Sequence, residues 1–560
     1  MNPRVPRFVT IYNFIRNSDS RLPDSEEILY QTTRQEILLL KKYALPATFA
    51  FQYDALINPR YQKLFREEGA DYFEVGGWLE LPRQLVEKAG LPWRGRWDWD
   101  WRTSVGFTPG YAPDERKKLV DVYMSDFKEI FGRHPRTFGS WYIDEVTLDH
   151  MVREYGLVAS CNCKDQVGTD GYTLWGGYWN QAYYPSKVNA YMPAQTRDGQ
   201  IHVPIFRMLG SDPIYQYDAG LGGAHQDVIT LEPVSSWAGG SPQWVKWFFD
   251  TLIHSPCLAF NFAQAGQENA FGWNVMKTGM ELQIPLIAEF SSKGLIQVET
   301  LEQNGKWYQE NFQVTPPTAF VAATDWKNQN KKTAWFNSRF YRVNFLWEND
   351  NIIIRDIHLF RENIESTIFR KSQKEDALLC ETLPILDGCR WSKSHSENEK
   401  AFMRLCLFSD DGTATPLKAK GDPIFSEEDQ KTLRIFQPLE NDLTLLVECS
   451  ESAVEISVKE KISWGIEFRW FVPLFANGFI MQPHGNSEVP IASSLPTSME
   501  VKKDCILYTH NQIRYALILN KGVVDLPQTH LPLILLRPAQ SGKIIFDLSS
   551  SQWCGVPEVL

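Results

Sequence analysis

Between residues 8 and 289 the chain keeps changing period. Short β-branched and aromatic runs alternate with stretches whose apolar side chains recur every three or four positions. No other sequence feature constrains the fold as much, because strands separated by helices read as βα units around a parallel sheet. Strand-like runs fall at 8–12, 47–51, 72–78, 137–141, 157–162, 203–207 and 257–262, with 284–289 as a candidate eighth. Leu119, Tyr123, Phe127 and Ile130 mark one face of a helix over 113–131. Leu148, Met151, Val152 and Tyr155 mark another, closed by Gly156. Asp24 with Glu27 predicts a capping box opening a helix that ends near Tyr43. Seven to eight such units favour an α/β fold of the (β/α) barrel type, with 7 or 8 strands.

After Pro316-Pro317 the helical period fades. Runs at 340–347, 351–356, 445–449 and 513–519 read as short strands of a β-sandwich-like domain. The chain therefore divides into a barrel over 1–300 and a β-rich domain over 301–560, with residues 300–312 read as a connecting helix. A chain of 560 residues is expected to form two or three domains.

Several function classes are excluded. A net charge of −11 without a basic run argues against a nucleic-acid partner. No run of 18 apolar residues exists, so no membrane span is expected. The N-terminus is not a secretory leader; the expectation is cytoplasmic as the sequence stands, periplasmic or secreted if a leader was removed. The nine Cys lack zinc spacing and read as free thiols. Histidines are few and form no His-x-x-x-His, so no metal is expected. Gly-x-Gly-x-x-Gly, the phosphate-binding P-loop and Gly-x-Ser-x-Gly are absent. No nucleotide cofactor or Ser-His-Asp catalysis is therefore expected, and no other cofactor is implied.

In such a barrel the active site lies at the carboxyl ends of the strands. The strand order places Asn13 and Arg16 after the first, Asp54 after the second, and Glu80 after the third. Asp144 follows the fourth, Lys164 and Asp165 the fifth, Arg207 and Asp212 the sixth, and Glu268 the seventh. Glu289 follows the candidate eighth. In Trp97-Asp98-Trp99-Asp100-Trp101, an extended backbone puts three indoles on one face and two carboxylates on the other. That arrangement is either a platform for substrate or a wedge in the barrel rim with its Asp residues paired to neighbouring Arg. Asp144 precedes a helix and can equally be its N-cap. The stretch 159–218 reads as a long aromatic loop, with Trp175, Tyr178, Trp179, Tyr183 and Tyr184 beside polar groups. Aromatic faces with polar rims suit a sugar; the alternative is a flap packed by its own aromatics.

Four segments together resemble the polysaccharide deacetylase layout of the glycoside hydrolase/deacetylase barrel superfamily. They are 8–13, 46–54 (Pro-Ala-Thr-Phe-Ala-Phe-Gln-Tyr-Asp), 74–80 (Glu-Val-Gly-Gly-Trp-Leu-Glu) and 132–140. The segments around 97–101, 160–175 and 207–218 are similar to an uncharacterised two-domain family, a barrel followed by a β-rich domain, both of unknown function. The resemblance implies a metal site of an Asp pair after the first strand and a His-x-x-x-His after the third. Here Tyr12-Asn13 stands at the first place, and 74–80 carries no His. It also implies glycosidase carboxylates after the fourth and seventh strands, where Asp144 and Glu268 stand.

The resulting expectation is a carbohydrate-active hydrolase, with a glycosidase preferred. Glu268 and Asp165 are the expected catalytic pair, with Asp144, Asp98 and Asp100 in reserve. Asn13, Arg16, Asp54, Glu80, Trp97, Trp99, Lys164, Trp175, Arg207 and Asp212 are expected to hold an oligosaccharide or glycan. The alternatives are a non-catalytic glycan-binding protein, a sialidase-like enzyme and a metal-independent deacetylase-like enzyme.

Overall fold

The computed structural model describes residues 5–549 except 170–171, 217–228, 377, 380–381, 389–399, 410–412, 428, 470–478, 483–484, 491–497, 511–512 and 526–532. Of the aromatic stretch, Asp170, Gly171, Tyr217 and Asp218 therefore lie outside the described residues.

Seven parallel strands form the first unit: β1 (Arg7–Ile15), β2 (Ala47–Phe51), β3 (Phe73–Trp78), β4 (Thr137–Gly139), β5 (Ala159–Asn162), β6 (Ile205–Arg207) and β7 (Asn261–Ala265). Their order is β7-β1-β2-β3-β4-β5-β6, and the short strand Ala182–Tyr183 adds antiparallel to β6. The result is a nearly closed eight-stranded barrel with helices between strands. Across the remaining gap, Gln181 Nε2 donates to Asn261 Oδ1 at 2.9 Å.

Alternation along β1 sorts its side chains. Val9, Ile11 and Ile15 pack in the large cluster shared with the surrounding helices. Phe8, Tyr12 and Phe14 belong to the lumen cluster, where Phe14 stacks on Trp78 at 4.0 Å. The lumen is tight enough to require glycine on β4. A Cβ at Gly139 would sit 2.3 Å from Tyr12 Oη and 2.6 Å from Cys161 Sγ.

The helix Leu301–Asn311, read from sequence as a linker, closes the amino-terminal end of the barrel. Asn304 Nδ2 donates to Thr10 Oγ1 at 3.1 Å, and the amides of Leu301 and Glu302 donate to Thr48 Oγ1 and Glu74 Oε2. Trp307 and Tyr308 pack on Phe8, Phe206 and Phe260.

Three local expectations are corrected. Residues 284–289 are not an eighth strand; they lie in the helix Trp273–Ser292. Met276, Met280, Ile284 and Ile287 bury one helical face there, and Pro285 inside the helix disguises the period. The strand expected at 257–262 is Asn261–Ala265. Asp24 does precede a helix, Ser25–Tyr43, but its backbone is left-handed (φ 54°) and its side chain makes no capping bond. Asn58 and Asp144 do cap helices, accepting from Arg60 N and Thr147 N. No helix among the described residues is long and apolar enough to cross a membrane.

The second unit is antiparallel. Strands β8 (Thr318–Ala322), β9 (Lys332–Asn337), β10 (Tyr341–Glu348) and β11 (Asn351–Leu359) begin a ten-stranded sheet. An eight-stranded sheet faces it. Val343, Ile354, Leu405 and Ile466 of the first share one core with Leu445, Ile456, Leu517 and Phe546 of the second. Two sheets around a common apolar layer make a sandwich-like unit.

The seam between the units uses the aromatic stretch. Trp175, Tyr178, Trp179, Tyr183 and Tyr184 are all buried. Trp179 stacks on Trp335 of β9 at 4.5 Å, with planes 2° apart, and its backbone exchanges two hydrogen bonds with the Asn337 amide. Tyr178 Oη donates to Pro316 O. This corrects the expectation of a sugar-facing loop: the aromatics are the floor on which the β-rich unit sits. Charges cross the same seam. Phe206 points into the lumen against Phe262, so its neighbour Arg207 points outward. Arg207 Nη2 reaches Asp165 Oδ1 at 2.9 Å. Arg342 Nη1, from β10, reaches Asp165 Oδ2 at 2.6 Å and also grips Asp356 with two bonds.

Arg342→Met would leave Asp165 with one guanidinium and Asp356 without its own, both buried. We expect a loss of about 3–5 kcal/mol in unfolding free energy, measured by urea titration. A loss below about 1 kcal/mol would mean that these charges do not depend on Arg342.

Candidate active site at the barrel mouth

At the carboxyl ends of the strands, one guanidinium organises the site. Arg16 follows β1 and is almost fully buried. Its Nε and Nη2 donate to the two oxygens of Glu80, both at 2.7 Å. Its Nη1 lies 2.7 Å from Glu268 Oε2 and 3.6 Å from Asp19 Oδ2. Trp99 stacks over the Arg16 guanidinium at 4.2 Å and has Arg21 at 5.0 Å. Arg21 in turn pairs with Asp19.

The backbone at Arg16 is pinned from three sides. Its N–H donates to Asn269 Oδ1, while its carbonyl accepts from Asn269 Nδ2 and Tyr61 Oη. Asp54 shapes the loop that follows, accepting from the amides of Asn17 and Ser18. Burial raises its carboxyl to about 6, against those amides and that of Ala55. Asn13 Oδ1 accepts from Gln267 N at 3.4 Å and ties β1 to the loop after β7. Gly266 there has φ +88°, and a Cβ would come within 2.6 Å of Asn13 Oδ1.

Glu268 is the carboxylate set apart. Its side chain is 9% exposed, more than those of Arg16, Glu80 and Asp19. Burial raises its carboxyl to about 7, although Arg16 and Arg21 pull it down; Glu80 and Asp19 add repulsion. At Asp19 burial also pushes upward, but Arg21 and Arg16 outweigh it and hold the carboxyl below its ordinary range. Two carboxylates near one another are thus driven in opposite directions, the usual sign of an acid beside a permanent anion. In the barrel unit, Gln52 Oε1 and Nε2, Gln264 Nε2, Trp78 Nε1, Trp99 Nε1 and Asn13 Nδ2 are buried without a hydrogen-bond partner among the described residues. Buried polar atoms are nearly always satisfied, so these are bonding positions for water or substrate hydroxyls.

A deacetylase metal does not fit this mouth. Tyr12 and Asn13 stand where the Asp pair would be, no His lies on β3 or in the loop to Glu80, and Asn13 Oδ1 is taken by a backbone amide. The place between Glu80 and Glu268 is filled by the Arg16 guanidinium.

The other expected residues lie elsewhere. Asp165 and Glu268 have separate sets of charge partners, because Asp165 belongs to the seam. It accepts from Arg207, Arg342 and Tyr191 Oη. Lys164 is buried beside it, its Nζ donating to Asp165 O. Trp175 gives its indole N–H to Asp387 of the β-rich unit. Asp212 accepts from the indoles of Trp244 and Trp326 and from two backbone amides. Asp144 caps the helix Glu145–Tyr155 and also binds Arg116 and Thr108. Asp100 is buried between Arg96 and Arg102; burial opposes them, yet its carboxyl falls to about 2. Asp98 is 62% exposed and faces Arg83 at 3.7 Å. Their lone pairs are spent on structure or on solvent. Trp97 is 43% exposed on the rim, two residues from Trp99. Asp19 and Arg21 were not anticipated; no signal marks them beyond their place in the loop after β1.

No family model matches the chain, and no curated protein does. Similar solved structures exist. One, from Parabacteroides distasonis and named as a glycoside hydrolase/deacetylase, shares 14% identity at a TM-score of 0.49, covering 70% of this chain and 91% of its own. Two named as polysaccharide deacetylases come from Mycobacterium smegmatis (11% identity, TM-score 0.34) and Pseudomonas aeruginosa (13%, 0.33). They cover 56% and 55% of this chain, and 94% and 92% of their own.

The raised carboxyl of Glu268 has a sign that can be checked. The folded state holds this proton up to about pH 7, whereas an ordinary Glu releases it near 4.5. Between those values the folded state binds more protons than the unfolded, so stability falls as pH rises. The slope is at most about 1.4 kcal/mol per pH unit. We expect Glu268→Gln to lose this slope, as read from urea midpoints at pH 4.5 to 7.5. Parallel profiles for the two proteins would show that Glu268 titrates normally.

Proposed function

We propose that the chain is a carbohydrate-active hydrolase that cleaves a glycosidic bond at the barrel mouth. The observation that carries this reading is the pair Glu268 and Glu80 on the single guanidinium of Arg16, one carboxyl protonated up to about pH 7. Glu268, at the exposed edge of the cluster, gives its proton to the leaving oxygen. Arg16, already 2.7 Å away, then stabilises the anion left behind. Glu80, held by two bonds from Arg16, faces the positive charge that develops on the sugar ring; water then adds to that carbon and its proton returns to Glu268. One guanidinium between them is compatible with the carboxyl spacings that glycosidases use, about 5–9.5 Å. The unpartnered amide of Gln52, whose backbone N–H bonds Ile15 O at the end of β1, suits a sugar hydroxyl, and Trp97 on the rim offers a ring face.

A sialidase-like reading is less well supported. An Arg that clamps a substrate carboxylate must be free to do so, yet Arg16, Arg96 and Arg207 are engaged by Glu80, Asp100 and Asp165.

Glu268→Gln is expected to lower hydrolysis of a responsive aryl glycoside by at least about 100-fold, with binding and fold retained. Wild-type kcat should fall as pH rises through about 7, because the acid is lost. Full activity in Glu268→Gln would overturn the assignment. Glycan binding without turnover in the wild type would leave a binding protein instead.

A further inference from the structure

Away from the mouth, a second cluster of titratable groups lies where the barrel meets the β-rich unit. Asp356 and His358 stand two residues apart on β11, so both project from one face of the sheet. Asp387 follows the strand Leu383–Leu386, which pairs with β11. All three are buried, and one ligand-type atom from each lies within 4.8 Å of the others. His358 Nε2 is 3.6 Å from Asp356 Oδ2 and 3.7 Å from Asp387 Oδ2. Neither ring nitrogen of His358 has a hydrogen-bond partner among the described residues.

These two distances discriminate between occupants. They are too long for a direct N–H···O bond, about 2.7–3.2 Å. They are too short for a bridging water, whose two bonds of about 2.8 Å at a tetrahedral angle span roughly 4.6 Å. Two ligands on a small divalent ion, each at about 2.0–2.2 Å, lie roughly 3.3–3.8 Å apart. We propose that Asp356, His358 and Asp387 hold one divalent cation of the zinc or manganese class at this seam. One imidazole nitrogen and two carboxylate oxygens, without a thiolate, is the donor set such ions accept.

The surroundings orient these ligands. Gly176, from the barrel's aromatic stretch, presses on the ring with φ +85°; a Cβ there would lie 2.4 Å from His358 Nδ1 and 3.0 Å from Thr382 Oγ1. Asp387 Oδ1 accepts from Trp175 Nε1 at 2.8 Å. Asp356 is gripped by Arg342, and its Oδ2 also accepts from Gly388 N at 3.1 Å. Such partners fix ligand geometry around a metal. Since Trp175 and Gly176 belong to the barrel and the three ligands to the β-rich unit, the ion would join one to the other. It lies apart from Glu268 and Arg16, and its role is to hold the seam.

The test uses the full-length wild-type protein purified without chelator. Elemental analysis should find about one equivalent of zinc or manganese. Dialysis against EDTA should lower the melting temperature, and adding back ZnCl2 or MnCl2 should restore it, with one site in calorimetric titration. His358→Gln should remove the site. Trp175→Phe, which spares the ligands, should weaken binding about 10–100-fold. A wild type without metal, whose melting temperature ignores both EDTA and added ions, would overturn the proposal. So would unchanged affinity in a folded His358→Gln. If that variant does not fold, the wild-type titration and Trp175→Phe decide.

Discussion

Removing a carboxylate from water costs several kcal/mol unless opposite charge and hydrogen bonds replace the lost hydration. Asp165 meets this cost with help from both halves of the molecule. The barrel provides Arg207 and Tyr191; the β-rich unit provides Arg342. Arg342 in turn serves Asp356, beside His358 and Asp387. Around this chain of charges the Trp179–Trp335 stack supplies the apolar part of the seam. The β-rich unit is therefore built into the electrostatics of the barrel wall behind β6.

This arrangement separates two kinds of buried charge. At the seam, Asp165 is fully engaged by fixed donors. At the mouth, Arg16 also meets an excess of carboxylate, but one member of the set, Glu268, keeps its proton to about pH 7. The difference comes from burial first and counting second. Glu268 is desolvated, and Arg16 and Arg21 also face Glu80 and Asp19, so two guanidiniums do not offset that cost for a third carboxylate. A buried ion-pair network with one acid too many is a proton store.

The barrel was legible because its strands and helices repeat with distinct periods, and because residues after a strand must lie at one end. That rule places Arg16, Glu80 and Glu268 at the mouth. It fails for Asp165 and Arg207, where the chain turns outward and alternation sends them behind the wall. Composition misled in the aromatic stretch. Trp, Tyr, Asn and Asp together describe a sugar cleft and a wet-edged seam equally well, and only the position of β9 and β10 decides. At Ile284 and Ile287 a buried helical face containing Pro285 imitates a strand. The second counter-charge of Asp165, Arg342, could not be read locally at all, since it lies 177 residues further on.

That sequence separation has a temporal side. A ribosome adds about 5–20 residues each second, so Arg342 follows Asp165 by roughly 10–35 s. Through that interval the nascent barrel carries its outer carboxylate and the rings of Tyr178 and Trp179 without the surface that covers them. The helix that plugs the barrel, Leu301–Asn311, also comes before that cover. The first half of this protein thus spends its youth with a greasy, charged flank open to solvent or to whatever chaperone meets it there. A cell that slows elongation just before β10 lengthens that exposure without changing a single residue.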